Sequence, residues 1–144
     1  MIEQDTVKLL RECDAGVKMG VGSIGDVLPR VQNEDLHARL TKSLHEHDKL
    51  QNEIERELHR YEDEGKAPNP IAKGMSTLKT NMELFMHEDD KTIASLMTDG
   101  CNMGVKSLNQ YLNEFEAADE RSKDICKRLI HLEQELIREI RDFL

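Results

Sequence analysis

The sequence predicts an all-α protein, a bundle of helices arranged as two repeated hairpins. Its composition is the first reason: of 144 residues, 38% are hydrophobic, 34% charged and 3% aromatic, with no Trp. That profile suits long amphipathic helices better than a sandwich or barrel. The second is periodicity, since apolar residues recur every three or four positions along most of the chain. The third is an internal repeat. A shift of 84 positions places Asp5 on Asp89, Gly16 on Gly100, Met19-Gly20-Val21 on Met103-Gly104-Val105 and Ser23 on Ser107. Glycine inside a helix costs about 1 kcal/mol against alanine, so two matched glycines are hard to attribute to composition.

The first helix is expected over residues 5–28, with Asp5 as N-cap and a stripe of Val7, Leu10, Val17, Val21, Ile24 and Leu28. Pro29 and Gln32-Asn33 end it. Glu34-Asp35 opens a second helix through Leu36, Leu40, Leu44, Ile54, Leu58 and Tyr61, stopping at Glu64-Gly65. After a loop containing Pro68-Asn69-Pro70, the residues Ile71, Met75, Leu78, Met82 and Phe85 mark a short extra helix. A break at His87-Glu88-Asp89-Asp90 is expected, with Asp89 or Asp90 capping the next helix. Ala94, Met97, Cys101, Val105, Leu108, Leu112 and Phe115 form its stripe. Ala117-Ala118-Asp119 makes the last turn, and Ile125, Leu129, Leu132, Leu136, Ile140 and Phe143 define the final helix.

One domain accounts for residues 1–144: hairpin 1 over about 3–64, a crossover over 65–88 and hairpin 2 over about 89–144. The crossover decides the topology. The second helix is ~42 Å long, and loop plus short helix in 65–88 reach ~46 Å, enough to return the chain along the whole bundle. The third helix then starts beside the far end of the first and runs antiparallel to it. This is the path of a ferritin-like four-helix bundle, two duplicated hairpins with a long crossover carrying a short fifth helix.

The segments Gly100-Cys101-Asn102-Met103-Gly104 and Ala117-Ala118-Asp119-Glu120-Arg121-Ser122, with the Pro68-Asn69-Pro70 crossover, resemble uncharacterised bacterial ferritin-like proteins. The resemblance covers most of the chain. It implies the fold and no established activity.

The net charge of −9 is spread along the chain, as solvated helix faces require. Nucleic acid is not expected as a partner, because lysines and arginines are scattered and form no basic stripe. No apolar run approaches the ~20 residues of a membrane span, and the first residues lack a signal-peptide pattern, so the expected compartment is the cytoplasm. Cys13, Cys101 and Cys126 form no C-x-x-C pair and read as reduced core thiols.

Gly16-x-x-x-Gly20 and Gly100-x-x-x-Gly104 suggest close helix packing, or a crevice for a small ligand. A ferritin-like iron or manganese centre takes several inward carboxylates with two histidines. Against that pattern, Asp14, His47 and Gln51 fall on the inner stripes, Thr98 is the copy of Asp14, and helix four offers Leu129, Leu132 and Leu136, with Glu133 and His131 off its stripe. A mid-bundle hydrogen-bonded group of Asp14, His47, Gln51 and Thr98 is therefore expected in place of a full metal site. Asp14 and His47 are the candidate ligands if Fe or Mn binds. No catalytic residues and no cofactor are expected. The functional expectation is a non-enzymatic structural or interaction protein that forms a homo-oligomer through helix faces. The alternative is a metal-binding oxidoreductase or store with a reduced site.

Overall fold

The computed structural model describes residues 2–66 and 89–144. Four α-helices account for nearly all of them: α1 Ile2–Val27, α2 Glu34–Arg60, α3 Asp90–Glu114 and α4 Glu120–Ile140, with single 3-10 turns at Leu28–Arg30 and Arg141–Phe143. No strand occurs among the described residues, and no helix there is long and apolar enough to cross a membrane. The short fifth helix expected at 71–85 lies outside the described residues.

Three of the four starts are capped by the side chains that lead into them. The Asn33 carbonyl accepts from the amides of Asp35 and Leu36, Asp89 accepts from Thr92, and Asp119 accepts from Ser122. α1 begins earlier than expected, so Asp5 lies inside the helix and is not its N-cap. Its carboxylate instead accepts from the amide of Ala117, 3.1 Å away in the α3–α4 turn. α2 ends at Arg60, ahead of the expected Glu64-Gly65 stop. Glu62 takes a left-handed conformation (φ 56), with Asp63 N–H bonded to Leu58 O and Glu62 N–H to His59 O. These are the paired bonds of a Schellman ending, which turns the chain without a glycine.

Around the bundle, α1 packs against α2 and α3, and α4 packs against α2 and α3; α1 also meets α4 across the diagonal. Bonds at the ends give the directions. The amide of Asp119 donates to Thr6 at the start of α1, and Asp90 at the start of α3 accepts from Gln32 and Asn33, both at 2.9 Å. α1 therefore runs antiparallel to α3 and parallel to α4. The chain leaves α2 at one end of the bundle and enters α3 at the other. The two turns are stapled alike, each by a residue near the start of the other hairpin's first helix.

The apolar interior falls into two clusters. Leu9, Leu10, Cys13, Val17, Leu50, Ile54, Leu58, Leu108, Ile125, Cys126, Leu129 and their neighbours fill the end where α1 begins. Ile24, Val27, Leu36, Leu40, Ile93, Met97, Cys101, Leu136 and Ile140 fill the other. Burial on this pattern is worth ~1.5–3 kcal/mol for each large side chain, which is the main force holding the helices together. What separates the clusters is polar.

Candidate functional site

Each helix contributes one residue to the layer between the clusters: Gly20 from α1, His47 from α2, Gly104 from α3 and Glu133 from α4. His47 is 1% exposed and Glu133 8%. Nε2 of His47 lies 2.9 Å from Oε1 of Glu133, and Nδ1 lies 2.7 Å from the carbonyl oxygen of Ser43 one turn back. A carbonyl only accepts, so Nδ1 carries a proton. The second proton lies on the Nε2–Oε1 line. Burial alone would lower the pKa of His47, but the Glu133 hydrogen bond and charge, with the Ser43 carbonyl, outweigh it and raise the value above 6.5. Below its raised titration point His47 is an imidazolium held against the Glu133 side chain. Cys101 also meets Glu133, and burial, then that carboxylate's charge and hydrogen bond, push its thiol far up.

The glycines give this pair its room. A Cβ on Gly20 would stand 2.8 Å from Cδ2 and 3.0 Å from Nε2 of His47, closer than side chains tolerate, and one on Gly104 would meet Glu133 at 3.6 Å. At Gly16 a Cβ would make ordinary contact with Leu129 at 3.7 Å and Leu108 at 3.8 Å, and at Gly100 it would meet nothing within 4 Å. Gly20 and Gly104 accommodate side chains, not a neighbouring backbone. A groove of about 290 Å³ lies elsewhere, between α2 and α4, over Ser43 and Leu136.

The structure does not join Asp14, His47, Gln51 and Thr98. Gln51 donates to Glu55 at the surface, and Thr98 donates to the carbonyl of Ala94 on its own helix. Asp14 is fully buried but accepts from Lys18 Nζ at 2.7 Å and from the amide of Lys66 at 3.0 Å. Gly65, with φ +87, packs against this carboxylate, and Lys66 Nζ reaches Glu12 at 2.6 Å. Asp14 thus ties the chain beyond α2 onto the middle of α1. The hairpin's true midpoint explains the miss: Gly20 lies opposite His47, so the turn centres near residue 33 or 34 and Asp14 falls more than a turn away. Glu133, expected off the stripe of the last helix, lies on it in place of Leu132. It lies four residues after Leu129 and three before Leu136, hence on the buried stripe, whereas Leu132 is only partly buried.

As a metal donor set the layer is short. It offers one imidazole and one carboxylate, with the Cys101 thiol of the adjoining cluster beside them, and the imidazole has no free lone pair while both nitrogens are engaged. Among the described residues no three His, Cys, Asp or Glu side chains are grouped to hold an ion. The layer does not fit the several carboxylates and two histidines of a ferritin-like di-metal centre.

No protein-family model, no curated protein and no solved structure matches the chain.

Proposed function

We propose that the chain is a ferritin-like four-helix bundle with a non-enzymatic role in the cytoplasm, a structural or interaction module that self-associates through a helix face. The observation that carries this reading is the closed mid-bundle layer. Where such a bundle would hold reactive groups, His47 and Glu133 bond each other, and the second ring nitrogen of His47 is taken by Ser43. Chemistry of this kind stabilises one arrangement of four helices and leaves the outer faces to act. The ferritin-like path is supported by the neighbour order of the helices and by the chain's passage from one end of the bundle to the other between α2 and α3. Duplication is supported by the matched glycines and by the two alike turn staples.

The face we favour is the outer side of α3. Met103 is 70% exposed there, one turn from Gly100, which has open space where a side chain would stand. A knob beside open space on one helix is self-complementary, as a two-fold contact between copies requires. Light scattering over a concentration series tests this: association that Met103→Glu weakens is expected. A strict monomer at high concentration refutes self-association.

A further inference from the structure

α1 and α4 run parallel across the bundle in a fixed register. Thr6 meets Asp119, Gly16 meets Leu129 and Gly20 meets Glu133, and every one of these pairs is 113 positions apart. Residues 6, 13, 16 and 20 follow steps of seven, three and four, a single helical stripe. Position 13 therefore faces position 126, and both are cysteine, each fully buried in the same apolar cluster. Cys126 Sγ donates toward the carbonyl of Leu108 at 3.8 Å, and the two thiols act on each other's titration, Cys13 pushed up and Cys126 down. At Gly16, one turn further on, a Cβ would meet Leu129 at 3.7 Å, an ordinary contact, and the backbones of α1 and α4 come within 8 Å of each other.

We propose that Cys13 and Cys126 form a redox modification site, an interhelical disulfide that staples hairpin 1 to hairpin 2 through α1 and α4. Each thiol gives up one proton and one electron as the S–S bond forms. A small-molecule disulfide such as oxidised glutathione accepts them: one thiolate attacks it, releasing one reduced molecule, and the second resolves the mixed disulfide, releasing another. The product is neutral and apolar, which suits surroundings of Leu, Val and Ile better than a thiolate would. Cys101 belongs to the other cluster and contacts Glu133, so it stays outside the bridge. Because both thiols are shut in the core, the bridge forms during folding or through opening of the bundle.

Refolding the full chain from urea in oxidised glutathione tests this. The expected product is lighter by two hydrogen atoms, keeps one titratable thiol, gives a Cys13–Cys126 linked peptide, and melts on the order of 10 °C higher until dithiothreitol reverses it. Cys101→Ser should behave the same, while Cys13→Ser and Cys126→Ala should form no intramolecular bridge. Three titratable thiols after refolding, a bridge through Cys101, or a bridged form that melts below the reduced one would overturn the proposal.

Discussion

Replacing Glu133 by Gln removes the charge of the mid-bundle pair while keeping its shape. The amide can still donate to Nε2 of a neutral His47, so the variant loses charge assistance and not the contact itself. A hydrogen bond to a charged group is worth about 1.5–3 kcal/mol, and removing one member of a buried pair outright costs about 3–5, so a loss of about 2 kcal/mol is expected near pH 6. Its pH dependence is the sharper signature. His47 titrates higher in the folded protein than its ordinary 6.5. Its contribution is therefore complete below that ordinary value and is lost as pH rises through the folded one. In Glu133→Gln the support for the imidazolium is gone and burial keeps the ring neutral. Urea denaturation of both proteins at several pH values between 5.5 and 9 gives the difference directly, since titrations common to both cancel. The gap should be widest at the acid end and narrow toward pH 9. A constant gap, or one that widens with pH, would refute the imidazolium–carboxylate assignment.

The glycines separate cleanly. Gly20→Ala should cost about 1–3 kcal/mol by driving a methyl into the His47 ring, whereas Gly100→Ala, with open space around it, should stabilise the monomer by about 0.5–1 kcal/mol; equal effects in thermal melts would contradict the layer's geometry. Asp14→Ala should release the chain beyond α2 from α1. Hydrogen exchange at the Lys66 amide should then accelerate by roughly tenfold or more, matching a lost bond of about 1.5–3 kcal/mol, and unchanged protection would show that Asp14 is not the anchor.

Much of the architecture was legible because it rests on long-period signals. Leu36, Leu40, Ile54 and Leu58 mark the buried side of α2 from spacing alone, and the choice of Asp89 or Asp90 as cap brackets the start of α3, where Asp89 proves to be the one. The passage between bundle ends follows from how much chain separates Arg60 from Asp90. His47 was legible as an inward polar residue, but its partner was not. Glu133 sits at stripe spacing, yet a charged residue beside Leu132 reads as solvent-facing unless its partner on another helix is known. Register across helices is a tertiary quantity. Asp14 and His47 both read as inward-facing, and only the offset of α1 against α2 shows that Gly20, not Asp14, lies opposite His47. The disulfide-competent pair was equally hidden, because Cys13 and Cys126 become neighbours only through the parallel alignment of α1 and α4.

The account stands on the mid-bundle layer being closed by its own residues, and metal-dependent melting tests that most directly. Chelator-treated protein should melt at the same temperature with or without one equivalent of Fe(II) or Mn(II). A rise of several degrees that His47→Ala abolishes would mean that the His47–Glu133 pair opens to hold an ion, and the non-enzymatic reading would fall with it.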